Sequence, residues 1–457
     1  MSVAEQHDQH SQEPFPVTVD AARWIANLQR RDIPQAAYER AKHALLDWLG
    51  CAIAGQGEPL VNMLLEEFAD GNDGACTLIA SGRRAGLHHA ALINGAASHA
   101  LDYDDVNRRL HGHPTVCIAP ATLALAESLS SNGRDVLTAF IAGTEVACAL
   151  GEMSEDGHYE AGFHATGTIG TFGAAAAAAK LMGLNAQANA NALAIAASQA
   201  AGLKANFGTM TKPLHAGKAA MNGLLAARLA ARGFSASETA IEGPQGFAQA
   251  QAPGFTPTPV RPDDTAPYAV EQMLYKYHAS CFLTHSTLNA IRALREQSAF
   301  GLDEVESAVL KIRSTHASVC CIPEPATGLE IKFSIQHLAA MGIDGADTGA
   351  LETYSDENAN DPRYVDARKR IRLDLTNDMD RSAALVTLTL KDGRTLTGED
   401  NVGVPAQDPH EQWRKLSAKF TSLATPVLGA ERSGDVLKRI GALESEADIS
   451  ALMTAAA

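Results

Sequence analysis

Residues 38–54 of this chain read YERAKHALLDWLGCAIA, and this stretch decides the fold. Apolar side chains recur in it three and four positions apart, which is the pattern of a helix face that packs on a core. These side chains are Ala41, Ala44, Leu45, Trp48 and Leu49. Gly50 and Gly55 have no Cβ and let a second backbone approach closely. The stretch therefore predicts a buried helix in a tightly packed helical domain.

The same pattern continues through most of residues 17–232, where six further segments have helical spacing. These are residues 88–101, 119–129, 136–150, 170–182, 188–201 and 218–232. Small residues dominate their faces, which favours short distances between helix axes. No fixed repeat period is present, so we predict an all-α bundle rather than a solenoid. The glycines at 167, 170 and 173 do not form GxGxxG and follow no strand, so we assign them to helix packing rather than to dinucleotide binding.

The sequence changes character after residue 253. Residues 251–267 contain five prolines and predict a crossing loop. Residues 308–313, 371–375 and 384–390 then alternate apolar and polar side chains as strands do, and KDGR at 391–394 predicts a hairpin turn. Helical patterns lie between them, at 286–296 and 335–340, and return near residue 408. We therefore predict a mainly α protein with a helical domain of residues 15–266 plus 405–457, an inserted α+β lid domain of residues 267–404, and a disordered tail at 1–14.

Four polar segments interrupt this apolar sequence. The first combines HALDYDD at 99–105 with HGHP at 111–114; the others are GFHATG at 162–167, TKPLH at 211–215 and YKYH at 275–278. Charged side chains are rarely buried unless they are paired. Ionisable groups at this density between apolar helices therefore predict a lined cavity.

Composition and charge exclude several classes of protein. With 46% hydrophobic and 20% charged residues, the 457-residue chain has the composition of a globular protein. Its net charge of −16 argues against nucleic acid and against an anionic membrane surface, but not against an anionic small substrate held in a local basic pocket. Seven cysteines without CxxC spacing indicate reduced thiols. Because the first residues lack an apolar signal-peptide region and no segment suits a membrane span, we expect a cytoplasmic protein.

The four segments, in this order, resemble the MmgE/PrpD family. The most specific matches are Asn94-Gly-x-x-x-His99 leading into DYDD at 102–105, His113-Pro114, and TKPLH at 211–215 followed by Gly217. The resemblance implies a helical domain with an α+β lid, a homodimer, and proton chemistry beside a carboxylate without metal or organic cofactor. It also implies a pocket lined by Asp102, His113, His164, Lys212 and Lys276. The decarboxylase branch of the family has Thr where this chain has Val106, and His where it has Cys281.

We assign catalytic roles to five residues of these segments and to Cys281, which follows the fourth segment. Asp102 would orient His113 or accept a substrate hydroxyl, and it would share a helix face with Asp105 rather than Asp104. An unperturbed histidine titrates near pH 6.5, so His113 suits general acid or base catalysis. The remaining catalytic candidates are His164, Lys212, Lys276 and Cys281.

Local sequence also predicts how these groups are presented. A helix beginning after His164, capped by Thr166 or Thr168, would direct its N–H groups at a substrate carboxylate. Lys212 precedes a proline and is expected in an extended loop. A thiolate at Cys281 would suit racemisation, although an inert buried thiol is the alternative. We expect substrate to be bound by His99, Thr166, Lys212, His215, Lys276 and His278.

A metal site at Asp102, His111 and His113 is a competing hypothesis, since these are zinc- or iron-ligand types. No HExxH or comparable second element accompanies them, so we expect no metal. The first functional hypothesis is a cofactor-independent lyase, a dehydratase or decarboxylase, acting on a small di- or tricarboxylate of the 2-methylcitrate or cis-aconitate type. The second is an epimerase of an imino- or amino-dicarboxylate such as iminodisuccinate, and the third is a non-catalytic, metabolite-binding helical dimer.

Overall fold

The computed structural model describes residues 14–68, 74–320 and 322–457. The predicted disordered tail lies outside this range except for Pro14. Among the described residues, ten α-helices and a short hairpin precede residue 252. In chain order they are α1 Val17–Asn27, α2 Gln35–Gly55, α3 Pro59–Phe68, β1 Cys76–Leu78, β2 Arg83–Ala85, α4 Leu87–His99, α5 Thr115–Leu129, α6 Gly133–Glu160, α7 Ala165–Leu181, α8 Ala186–Ala197, α9 Thr211–Ala230 and α10 Phe247–Gln251. Each helical pattern found in the sequence coincides with one of these helices.

Residues 285–401 form a second unit, here called the sheet unit. Its elements are α11 His285–Gln297, β3 Val305–Arg313, α12 Gly328–Ile331, α13 Ile335–Asp344, α14 Asp356–Ala359, α15 Pro362–Arg368, β4 Ile371–Thr376, β5 Ala383–Leu390 and β6 Thr395–Asn401. The strands form one sheet in the order β4-β3-β5-β6, in which β3 and β4 are parallel and the other pairs are antiparallel. Leu310 of β3 lies opposite Leu373 and Val386 in register. Apolar residues of the sheet, α11 and α13 form a core of their own.

The chain ends with α16 Pro409–Leu428, α17 Ala430–Gly441 and α18 Ser450–Ala456. Helix α16 packs on α2, and both ends of the chain contribute to one large core that extends from Val17 to Ala456. The fold is therefore mainly α, as predicted, with its strands confined to small sheets. That the sheet unit acts as a lid stays a prediction.

Glycines bring the helices that carry the polar segments into backbone contact. A Cβ on Gly217 of α9 would lie 2.2 Å from the carbonyl oxygen of Leu92 in α4, and one on Gly55 of α2 would lie 2.1 Å from the carbonyl oxygen of Ala97. Real Cβ atoms do not approach this closely, so any side chain at either position would force the helices apart. The predicted tight packing of α2, α4 and α9 is confirmed, and it fixes the positions of the residues at their ends.

Helix α6 is long and apolar enough to suit a membrane span, but 94% of its apolar window is buried inside the protein. It packs most extensively on α7. Such burial is typical of a central core helix. Near its end the helix is interrupted at Glu155, whose φ of 46° and ψ of −151° are not helical. The turns after this kink face the cavity described next.

Candidate active site

Six predicted catalytic residues line one cavity of about 260 Å³, reached by both the helical bundle and the sheet unit. They are Asp102, His113, His164, Lys212, Lys276 and Cys281. Further walls come from Tyr159 of α6, from Phe207, and from Phe333 and Arg381 of the sheet unit. The cavity therefore gathers groups that are up to 279 positions apart in the chain, between Asp102 and Arg381.

Asp102 forms a buried ion-pair cluster with two lysines. Its Oδ1 accepts hydrogen bonds from Lys212 Nζ at 2.7 Å and from Lys276 Nζ at 2.9 Å, and Lys276 Nζ also donates to the Asp102 backbone carbonyl at 2.7 Å. Burial raises the pKa of the Asp102 carboxyl, but the two ammonium groups outweigh this effect and hold the pKa well below its usual range. Two buried cations against one carboxylate leave one positive charge without a carboxylate partner in the cluster.

The backbone of Asp102 is left-handed, with φ of 52°. Helix α4 ends at His99, so residues 102–105 do not follow helical spacing. This corrects the expectation that Asp102 and Asp105 share a helix face. Asp105 points away: its carboxyl accepts a hydrogen bond from Thr115 Oγ1 at 2.5 Å, and burial raises its pKa well above the usual range.

Asp104, not Asp102, is the carboxylate that contacts the His113 imidazole closely. Its Oδ2 lies 2.9 Å from His113 Nδ1, whereas Asp102 Oδ1 lies 3.9 Å from His113 Nε2. The Nδ1 of His113 is also 2.8 Å from the backbone carbonyl of Asp105. A proton on Nδ1 is donated to the Asp105 carbonyl, beside the Asp104 carboxylate, and leaves Nε2 as the free nitrogen of the ring.

Asp104 also binds His99, whose Nδ1 lies 2.9 Å from Oδ1. Burial lowers the pKa of His99 to about 4, so this imidazole is neutral near pH 7. The pKa of Asp104 is raised by burial but held well below its usual range by the two neighbouring histidines. His99 Nε2 is buried and has no hydrogen-bond partner within the described part of the chain. His99 thus supports Asp104 from behind the cavity wall.

His164 is the residue before α7 and forms a pair with His215. Their Nδ1 atoms are 3.1 Å apart, so one imidazole donates to the other. Burial is the main reason that the pKa of His164 lies well below its usual value, and the charge of Lys212 lowers it further. The expected threonine cap is wrong: the start of α7 has no side-chain cap, and Thr166 Oγ1 accepts a hydrogen bond from the His113 backbone N–H at 3.1 Å. Thr166 therefore holds the His113 loop.

That loop covers the start of α7. A Cβ on Gly112 would lie 3.0 Å from the backbone nitrogen of Thr166. The expected presentation of free N–H groups to a substrate carboxylate is not what the structure shows, because a loop occupies the space in front of them.

Lys212 lies inside α9, not in an extended loop. The helix begins at Thr211, and Pro213 occupies its first turn, where the missing N–H of proline is tolerated. The first turn directs the Lys212 ammonium to within 5.6 Å of the centre of the Phe207 ring and 5.4 Å of that of Phe333. These aromatic walls shield the charge from solvent and strengthen its electrostatic effect.

Cys281 differs from the other buried cysteines. Burial raises the pKa of the Cys51, Cys117 and Cys148 thiols. The pKa of Cys281 is lowered mainly by a hydrogen bond from the Cys320 thiol, and the charge of Lys276 also lowers it. Burial raises this pKa but does not outweigh the two lowering effects. Its thiol is therefore the more readily ionised one, and it faces the cavity.

His278 lies apart from the candidate site. Its Nδ1 is 2.7 Å from Thr348 Oγ1 and its Nε2 is 3.1 Å from Asn289 Oδ1. It lines a second cavity beside α16, while Lys276, two positions earlier, lines the first. Of the predicted substrate-binding residues, His99, Thr166 and His215 pack behind the cavity wall as described above, and Lys212 and Lys276 face the cavity.

Sequence reasoning missed several residues in and behind the cavity wall. Tyr159 and Arg381 line the cavity and carry no local motif, and Asp104, behind the wall, was given no role. Lys332 is a third buried lysine beside the cluster: it donates to the backbone carbonyl of Leu101, and burial lowers its pKa to about 8. A cation and an aromatic ring that lie far apart in the sequence form no local pattern. They come together only when the sheet unit is folded.

Four side chains place potential metal ligands within 4.8 Å of one another, namely His99, Asp102, Asp104 and His113. The lysine ammonium groups already contact Asp102 Oδ1 and would repel a divalent cation there. His111, part of the competing metal hypothesis, lies 3.3 Å from a guanidinium nitrogen of Arg381 instead. The donor set thus fits a hydrogen-bonded acid–base cluster better than a metal centre.

Two protein-family models and several known proteins are similar to this chain. The MmgE/PrpD N-terminal domain model matches residues 19–259, and the MmgE/PrpD C-terminal domain model matches residues 278–440. A cis-aconitate decarboxylase of Mus musculus is 28% identical over 462 residues, covering 95% of this chain and 92% of its own. The Homo sapiens enzyme of the same name is 28% identical over 463 residues, with coverage of 96% and 94%. A cis-aconitate decarboxylase of Aspergillus terreus (strain NIH 2624 / FGSC A1156) is 27% identical over 475 residues, with coverage of 96% and 95%.

Proposed function

This chain belongs to the MmgE/PrpD family as a lyase, and from that premise we propose that it decarboxylates or dehydrates a small tricarboxylate of the cis-aconitate or 2-methylcitrate type. The observation that carries the proposal is the pair of buried lysines on a single carboxylate. Lys212 and Lys276 share Asp102, so the cluster retains one positive charge at the cavity wall. A substrate carboxylate supplies the negative charge that this cluster lacks.

The same positive charge assists the chemistry. Loss of CO2, or of an α-proton, leaves negative charge that spreads into a neighbouring carboxylate. Fixed ammonium groups in a site shielded by Phe207 and Phe333 stabilise this charge without reorganisation. In decarboxylation the electron pair of the broken C–C bond stays on the substrate, and a proton must be delivered to carbon.

His113 is the proposed proton carrier. With Nδ1–H donating to the Asp105 carbonyl and the Asp104 carboxylate 2.9 Å from Nδ1, the ring's Nε2 is the nitrogen free to exchange a proton with substrate. The Asp104 carboxylate stabilises the imidazolium that forms when Nε2 is protonated, as a buried carboxylate beside a catalytic histidine does elsewhere. In a dehydration the same imidazolium would protonate the departing hydroxyl group.

One observation favours a second candidate, an epimerase of an imino- or amino-dicarboxylate. The Cys281 thiol lines the cavity and its pKa is lowered. Epimerisation needs one group to remove the α-proton and another to return a proton on the opposite face. A readily ionised thiol opposed to His113 would meet that need.

The test is proton NMR of the purified protein in D2O with cis-aconitate, 2-methylcitrate, citrate and iminodisuccinate offered separately. New vinyl signals with release of CO2, or conversion of a hydroxy acid to an alkene, establish the lyase and identify its substrate. Deuterium entering an α-position without net loss of substrate supports epimerisation. A His113→Ala sample is the matched control for a contaminating enzyme. Absence of both turnover and exchange with all four acids refutes the proposal in either form.

A further inference from the structure

The wall of the cavity that faces the sheet unit carries positive charge of its own. Besides Lys212 and Lys276, three arginines line the cavity, namely Arg108, Arg313 and Arg381. The lining carboxylates are Asp102 and Asp156. Arg108 is already paired with Asp380 at 2.8 Å, so four remaining cations face two lining carboxylates, an excess of two positive charges in a chain whose net charge is −16. This focused charge indicates an anionic ligand that reaches beyond the lysine pair.

Arg381 is the arginine best placed to meet such a ligand. Its guanidinium Nη1 lies 3.1 Å from Asp156 Oδ1 and 3.3 Å from His111 Nδ1, and the group lies 5.1 Å from the centre of the Tyr159 ring. Its backbone carbonyl accepts a hydrogen bond from His316 at 2.8 Å, which anchors the residue in the sheet unit. The charge is thus held at a fixed place.

The partner of Arg381 is replaceable. The Asp156 side chain is 55% exposed, whereas that of Arg381 is 23% exposed. An ion pair with one exposed member contributes little to stability, because water solvates the carboxylate equally well. Asp156 follows the kink at Glu155, so it projects over the cavity from the last turns of α6. A ligand carboxylate entering the cavity competes for the same guanidinium.

We propose that Arg381 binds the distal carboxylate of the substrate while Lys212 and Lys276 hold the reacting end, and that Asp156 occupies the guanidinium in the free enzyme. The ligand class is therefore a polycarboxylate with acid groups at both ends, and a monocarboxylate would engage only the lysines. This inference rests on the proposed function for the identity of the reacting end. Arg381 is a specificity-determining residue in this scheme.

The experiment measures binding as well as turnover. Tricarballylate, a saturated tricarboxylate, and butyrate, a monocarboxylate, are titrated calorimetrically into wild-type protein and into Arg381→Met, Arg381→Lys and Asp156→Asn. Arg363→Met, which removes an exposed arginine of α15, is the matched control. Steady-state kcat and KM are measured on the acid that the wild type converts.

We expect Arg381→Met to weaken tricarballylate binding and raise KM by about 10- to 100-fold, as loss of a charge-assisted contact does, with kcat changed less than about threefold. Butyrate binding should not change, and Arg381→Lys should restore part of the loss. Asp156→Asn should strengthen binding, because it removes the internal competitor.

Two results would overturn the inference. Equal tricarballylate affinity in Arg381→Met and Arg363→Met would show that Arg381 does not bind the ligand. Weaker binding in Asp156→Asn would show that the Arg381–Asp156 pair is a structural clamp, because a clamp loses function when either member is removed. If the wild type converts none of the offered acids, the proposed function fails, and the tricarballylate titrations still decide the role of Arg381.

Discussion

Replacing Asp104 by Asn tests whether the carboxylate behind His113 assists catalysis. The carboxylate contacts two imidazoles, with His99 Nδ1 and His113 Nδ1 each at 2.9 Å. Asparagine has nearly the same shape, but it offers one oxygen acceptor and turns an N–H group towards the second imidazole. One charge-assisted hydrogen bond is therefore lost, which is worth about 1.5–3 kcal/mol.

If the Asp104 carboxylate stabilises the His113 imidazolium in the transition state by this full amount, its loss lowers kcat by about 10- to 150-fold, since each 1.36 kcal/mol corresponds to a factor of ten. KM should stay within about twofold, because Asp104 is completely buried and does not line the cavity among the described residues. The assay is steady-state turnover by proton NMR, combined with urea unfolding to measure the change in the free energy of unfolding.

Asp105→Asn is the matched control. Burial raises the pKa of this neighbouring carboxyl well above its usual range, and the carboxyl contacts Thr115 rather than an imidazole. Asp105→Asn should leave kcat within about threefold. Equal kcat values for Asp104→Asn and Asp105→Asn would refute the assigned role, and a change confined to KM would show that Asp104 acts on substrate binding instead.

Three further outcomes are expected. His113→Ala and Lys212→Ala should each lower kcat/KM at least about 100-fold in steady-state assays; near-normal turnover with an unchanged circular dichroism spectrum would exclude that residue from the mechanism. Gly217→Ala should lower the free energy of unfolding in urea by at least about 1–3 kcal/mol, because its Cβ would lie 2.2 Å from a backbone oxygen. Gly434 has open space around it, so Gly434→Ala should be neutral or stabilising. Equal effects of the two substitutions would contradict the packing argument. Burial lowers the pKa of His278 from 6.5 to about 4, so the unfolded chain binds the proton first and the free energy of unfolding decreases as pH falls from 6.5 to 4. His278→Gln should remove up to about 3 kcal/mol of this decrease in thermal melts across that pH range. An unchanged pH dependence of stability in His278→Gln would refute the prediction.

The helices were predictable because apolar spacing reports directly on burial. Residues 38–54 gave one face of a helix, and α2 extends over Gln35–Gly55. The strands followed from alternation, as in 384–390 and β5 Ala383–Leu390. Both patterns record which side of a helix or strand is buried in the core.

The site was less predictable because it depends on loops and on distant chain segments. The expectation that Asp102 shares a face with Asp105 rather than with Asp104 assumed helical spacing beyond His99, where the helix in fact ends. The rule for residues before proline placed Lys212 in a loop, but Lys212 is helical and Pro213 lies in the first turn of α9, where its missing N–H is tolerated. The Arg381 guanidinium meets His111 and Asp156 through tertiary contacts across more than 200 positions, and no local pattern encodes that.

The left-handed backbone at Asp102, with φ of 52°, has an evolutionary consequence. Glycine, asparagine and aspartate adopt this conformation readily, and other residues pay a steric cost there. Within that short set only aspartate carries the charge that holds two lysines. Substitution at position 102 is therefore restricted both by the backbone conformation and by the charge that the lysines require. We expect substitutions that change the substrate to occur elsewhere in the cavity lining. Cys281 and Arg381 have no positive φ and are free of this restriction, so divergence of specificity should concentrate there.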